Sequence, residues 1–128
     1  MRQTHETPYL TYEIIEPRLL KAIYRAGLPP IDLPMAMDIV SDRLQRFGEA
    51  EFYLLVEEPG TTRFLPETWE YLVTAGTVGL KCIAIVAENN DTFVTGSFFL
   101  ASMPTDIPVR MFETEADALT WLRESMKK

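Results

Sequence analysis

Hydrophobic and polar positions change period several times along this chain, and the changes divide it into elements. The run Lys81–Glu88, Lys-Cys-Ile-Ala-Ile-Val-Ala-Glu, places six consecutive uncharged residues between two charges. That is the pattern of a strand buried on both faces, which needs helices above and below it. Phe52–Val56 is a second run of this kind, closed by the turn Glu57-Glu58-Pro59-Gly60. Upstream, Tyr9–Ile15 and Leu19–Arg25 are rich in β-forming residues and flank Glu16-Pro17-Arg18. They predict an antiparallel hairpin with Pro17 in its loop, where a missing backbone donor does no harm.

Helical periods fill the gaps. From Leu33 to Phe47, the residues Leu33, Ala36, Met37, Val40, Leu44 and Phe47 recur at helical spacing, opposite Asp38, Ser41, Asp42, Gln45 and Arg46. Asp32 suits the N-cap and Gly48 the C-terminal stop. Pro66 suits the first turn of a second helix with an apolar face of Leu65, Trp69, Leu72 and Val73, ended by Gly76 and Gly79. Thr92–Met103 mixes β-forming residues with helical spacing. It is assigned to a helix because two parallel buried strands need a crossover of about a dozen residues. Val109–Phe112 then reads as a short strand, and Thr114 as the cap of a last helix whose buried stripe is Ala118, Leu119, Leu122 and Met126. The order β-β-α-β-α-β-α-β-α predicts one α/β domain over residues 9–128, after a disordered tail of residues 1–8. Its sheet is expected to be mostly parallel, with one antiparallel edge strand and helices on both sides.

Composition narrows the function classes more than it selects one. At 128 residues and 47% hydrophobic, the chain suits one domain with a core of its own. Twelve Lys and Arg against nineteen Asp and Glu give a net charge of −7, which disfavours nucleic acid and anionic membrane surfaces as partners. The apolar runs fall well short of the roughly 20 residues of a membrane helix. The opening Met-Arg-Gln-Thr-His-Glu-Thr-Pro has no apolar signal segment, and with a single cysteine the expected compartment is the cytosol.

Candidate chemistry is sparse. His5, the one histidine, falls in the expected tail and reads as a solvated residue; Cys82 falls inside the most buried strand and reads as an inert core thiol. Gly76-Thr77-Val78-Gly79 precedes a strand instead of following one, the wrong context for a phosphate loop. The acidic residues Glu57, Glu58, Glu88 and Asp91 flank the C-terminal ends of two predicted parallel strands, where open α/β sheets bind ligands. Paired carboxylates there could hold a cation or exchange protons, although loops rich in Pro, Gly and Asn ordinarily carry solvated charge. Trp69 and Trp121 read as helix-to-sheet packing. Phe98, Phe99, Leu100 and Met103 together exceed one helical face, so part of the cluster is expected at an interface.

The element order and the closing pattern Val109-Arg110-Met111-Phe112-Glu113-Thr114-Glu115-Ala116-Asp117-Ala118-Leu119-Thr120-Trp121-Leu122 resemble the STAS-like family, the fold of the anti-anti-sigma factors. The likeness is greatest to small stand-alone bacterial STAS-like proteins of uncharacterised function, and Gly96-Ser97-Phe98-Phe99-Leu100 with Pro104 and Pro108 also looks like theirs. The resemblance implies a regulatory or scaffolding domain that binds protein partners and sometimes a small ligand. One family feature does not carry over. Where the anti-anti-sigma factors have an Asp-Ser-Ser-Gly phosphorylation motif, this chain has Glu57-Glu58-Pro59-Gly60-Thr61-Thr62, with no serine and with two carboxylates that would repel a phosphate.

The expectation is therefore a non-catalytic domain that needs no cofactor or metal and acts through a protein partner, a homodimer through Phe98, Phe99 and Met103 included. The alternative is a small-ligand module, nucleotide or lipid-like, using the strand ends at Thr61, Thr62, Asn89 and Asn90. An enzyme ranks third, for want of an activated nucleophile, a histidine dyad or metal-ligand spacing.

Overall fold

The computed structural model describes residues 3–57, 63–87 and 89–127. Among these residues six strands form one sheet in sequential order: β1 (Thr4–Glu6), β2 (Leu10–Glu16), β3 (Leu19–Tyr24), β4 (Phe52–Glu57), β5 (Leu80–Val86) and β6 (Val109–Phe112). Strands β1, β2 and β3 pair antiparallel, and β3 to β6 are parallel neighbours. The helices are α1 (Leu33–Phe47), α2 (Pro66–Val73), α3 (Asn90–Ser102) and α4 (Glu115–Met126), with one 3-10 turn at Ala75–Thr77 after α2.

The predicted α/β order is thus observed, with one strand added. Residues 4–6, expected in a disordered tail, pair with Thr11–Glu13 of β2 as an edge strand. The buried Thr7 makes the corner: its hydroxyl donates to the Leu10 carbonyl and accepts from the amides of Tyr9 and Leu10. A three-residue strand with exposed ends shows too little alternation to be seen in sequence. The antiparallel strand β2 is consequently second from the edge rather than at it.

Each crossover from β3 to β6 moves one strand in the same direction, so connections of one hand put α1, α2 and α3 on the same face. Helix α4 follows the last strand, is free of that constraint, and among the described residues is the one helix on the other face. The core is accordingly in two parts. Leu20, Tyr12, Leu54, Ile83 and Ile85 meet Ile39 of α1 and the half-buried Trp69, Phe93 and Leu100 of α2 and α3. Leu19, Leu55, Cys82, Ala84, Val86 and Phe112 meet Ala118 and Leu122 of α4. Strand β5 is buried on both faces from Cys82 onward, as its sequence predicts.

Helix α1 begins where the sequence places it, with Asp32 Oδ1 accepting from the Met35 amide at 3.0 Å. Gly48 ends it at a φ of 73°, a value that glycine adopts without strain. The buried stripe is rotated from the predicted one: Ala36, Ile39, Val40 and Arg43 face inward, while Met37 is exposed. In α2 the expected Leu65 is likewise exposed. Thr68 is fully buried in its place, its hydroxyl donating to the Ile31 carbonyl at 2.8 Å. Trp69 and Trp121 pack between helix and sheet as predicted, against Phe64 and Phe112 respectively.

Candidate functional site

The residues singled out by sequence are spread over several separate places. At the C-terminal ends of the parallel strands, Asn89 caps α3, its side-chain oxygen accepting from the amides of Asp91 at 2.8 Å and Thr92 at 3.3 Å. Asn90 is exposed in the first turn, and so is Asp91, whose charge sits where a helix dipole favours it. Thr61, Thr62, Glu58 and Glu88 lie outside the described residues. Among the described residues no three His, Cys, Asp or Glu side chains converge as metal ligands do.

Glu57 turns away from that rim, onto the face covered by α4, and joins a cluster that the sequence reading missed. Lys21 Nζ lies 3.4 Å from Glu57 Oε2 and 2.5 Å from Glu115 Oε1. Burial works against the Lys21 ammonium, but the hydrogen bond to Glu115 and the two carboxylate charges outweigh it and raise its pKa. Burial likewise raises the Glu57 carboxyl, opposed by Lys21 and reinforced by the like charge of Glu115. One ammonium thus holds two carboxylates from different elements and fastens the N-terminus of α4 to β3 and β4. The signal was a lone lysine in Leu-Leu-Lys-Ala-Ile-Tyr, on the same strand face as Leu19 and Ile23, with acidic residues ending β4 and opening α4.

His5 and Cys82 resolve differently from each other. His5 is half-buried against α1 rather than solvated, its Nε2 3.3 Å from Asp42 Oδ2 and its ring edge-on to Phe47. Cys82 is a buried free thiol, raised in pKa chiefly by burial, which disfavours the nucleophilic thiolate.

The remaining place is α3. Its apolar residues are spread round the helix instead of gathered on one side, among six polar ones of which one, Asp91, is charged. The inner side is fixed by Phe93 and Leu100 in the core and by Gly96, which lies so close to Met111 that a Cβ there would come within 2.7 Å of the methionine Cε. Phe99 stacks on Trp69 with centroids 6.5 Å apart, and Met103, the C-cap residue, is half-buried. The outer side presents Val94, Phe98 and Ala101 to solvent, and Phe98 is 75% exposed. Of the three residues expected at an interface, Phe98 therefore faces outward while Phe99 is engaged within the domain. Among the described residues nothing covers this outer stripe, and Asp91, Thr95 and Ser102 are exposed beside it.

Residues 14–126 match the family described as a domain of unknown function, DUF7793, and the chain belongs to that family. No curated protein matches it. Among solved structures, it is similar to an uncharacterised protein of the DUF3478 family with a SpoIIAA-like fold from Shewanella loihica PV-4, at 13% identity and a TM-score of 0.49 over 95% of this chain and 92% of that one. Among the described residues no helix is long and apolar enough to cross a membrane.

Proposed function

We propose that this is a non-catalytic cytosolic interaction domain whose working surface is the outer face of α3, and that a second copy of the chain occupies that face. The observation that carries the reading is Phe98, a large aromatic 75% exposed and one turn from the exposed Val94, on a helix with a single charge. Each copy carries a net charge of −7, so two copies repel least along a helix such as α3, whose one charge, Asp91, lies in its first turn. Val94, Phe98 and Ala101 form a straight stripe that can meet its own two-fold copy, giving an isologous contact. One helix face is a small footprint, so the dimer is expected to be weak, with a Kd on the order of 10–100 µM. The absence of a catalytic role in the proposal rests on Cys82 being buried with a raised pKa and on His5 being held against Asp42.

Sedimentation equilibrium from micromolar to millimolar chain tests this. The wild type is expected to shift from monomer to dimer, and Phe98→Asp to remain monomeric with an unchanged melting temperature, since so exposed a residue adds little to the fold. A wild type that stays monomeric at millimolar concentration, or a Phe98→Asp variant that dimerises equally well, would remove the proposal.

A further inference from the structure

Between the α1–α2 pair and the sheet lies a cavity of about 60 Å³. Most of its wall is aliphatic or aromatic, with Leu54, Ile85, Phe64 and Trp69 among the lining residues, but Arg43 and Tyr12 also reach it. Both are more than nine-tenths buried, at 4% and 2% exposure. One terminal nitrogen of the Arg43 guanidinium donates to the carbonyls of Gly76 at 3.2 Å and Val78 at 2.6 Å. Its Nε and other terminal nitrogen have no hydrogen-bond partner, and the guanidinium has no carboxylate within 4.0 Å, among the described residues. The Tyr12 hydroxyl has no hydrogen-bond partner among them either.

A buried charge without a counter-charge is costly, and a guanidinium does not escape the cost by losing its proton. Two carbonyl dipoles offset part of it and leave three N–H donors over. The neighbouring tyrosine adds a fourth donor beside an apolar chamber. Fixed positive charge, spare donors and an apolar wall together form a receptor for a carboxylate with a short apolar tail. Size sets the tail: a 150 Å³ apolar cavity takes benzene, so about 60 Å³ takes only a few heavy atoms.

We infer that this cavity is a binding site for a short-chain monocarboxylate of the acetate or propionate class, whose carboxylate meets Arg43 and Tyr12 and whose alkyl end lies against the aliphatic wall. The site lies inside the domain under α1 and α2, remote in chemistry from the α3 face, and it stands or falls independently of dimerisation. The burial that lowers the Arg43 pKa and raises that of Tyr12 fits a pair of donors awaiting an acceptor. The sequence pattern contained the clue, since Arg43 falls three residues after Val40 and seven after Ala36, on the apolar stripe of α1.

Titration of ¹⁵N-labelled protein with sodium propionate tests the inference, with 1-propanol and sodium chloride as matched controls. Propionate is expected to give saturating shifts at the Arg43 Nε–H and the Gly76 amide, with a Kd at or below about 1 mM. Neither control should saturate. Tyr12→Phe, which keeps the ring, is expected to weaken propionate at least tenfold, and Arg43→Met to abolish saturation. Because Arg43→Met also frees two turn carbonyls and can unfold the domain, Tyr12→Phe carries the test if it does. Propionate shifts that match those of the controls, or a Tyr12→Phe variant that binds as well as the wild type, would overturn the assignment and leave a cavity that holds water only.

Discussion

Replacing Lys21 by methionine keeps most of the apolar stem and removes the charge that holds Glu57 and Glu115 together. Removing one partner of a fully buried ion pair costs about 3–5 kcal/mol. Here the side chains are 12%, 27% and 39% exposed, so solvent screens part of the loss, and about 1–2 kcal/mol is expected at pH 8. The loss should depend on pH. Burial already raises the Glu57 carboxyl above its ordinary value, and without Lys21, which opposes that rise, it must go further. A carboxyl raised in the folded state binds more protons folded than unfolded, so stability falls as pH climbs through its folded pKa. The Lys21→Met penalty is therefore large at pH 8, shrinks toward pH 5 as Glu57 takes up a proton, and is largely recovered at pH 8 in the Lys21→Met, Glu57→Gln double variant. Urea unfolding at the two pH values reads this directly. An equal penalty at pH 5 and pH 8 would mean that Lys21 matters for packing and not for charge, and would refute the reasoning.

Two further outcomes follow from buried hydroxyls. Burial pushes Tyr12 up to about 12 from an ordinary value near 10, so the folded state keeps the phenol protonated longer than the unfolded chain does. Stability from this group is full below about pH 10 and is lost as pH rises through 12, by up to about 3 kcal/mol; alkaline urea titrations should show this loss in the wild type and a flatter profile in Tyr12→Phe. Thr68→Val keeps the shape but removes the donor to the Ile31 carbonyl, which retains a weaker bond from the Leu65 amide at 3.2 Å. A cost of about 1 kcal/mol is expected in urea unfolding, and an unchanged midpoint would show that the buried hydroxyl contributes nothing.

Much of the fold was legible because the period of the pattern changes where the elements change. The doubly buried β5 and the 15-residue α1 announce themselves by composition and by caps, and the crossover rule placed α3 despite its β-forming threonines and valine. Elements were missed where local pattern carries no information. Strand β1 is three residues long and is held by the free edge of β2, which no local window contains. The inward face of α1 is rotated from the predicted stripe, with Ala36 and Val40 common to both, because Met37 resembles a core residue whereas packing against the sheet selects Ile39 and Arg43. The charged cluster and the cavity left only single-residue clues in the sequence, Lys21 in β3 and Arg43 on the buried stripe of α1, for the same reason. Lys21, Glu57 and Glu115 are far apart in sequence and meet only through strand register and the return of α4.

The outer face of α3 was legible as an excess of large apolar residues, while its orientation was not: Phe98 and Phe99 are adjacent in sequence and point to opposite fates, solvent and Trp69. The claim that this face is the working surface is tested most directly by following backbone amide resonances on dilution from about 1 mM to 10 µM, a range that spans the expected dimer Kd. Concentration-dependent shifts confined to α3, centred on Val94, Phe98 and Ala101, are the predicted result. Invariant spectra over that range, or shifts that centre on any other element, would contradict it.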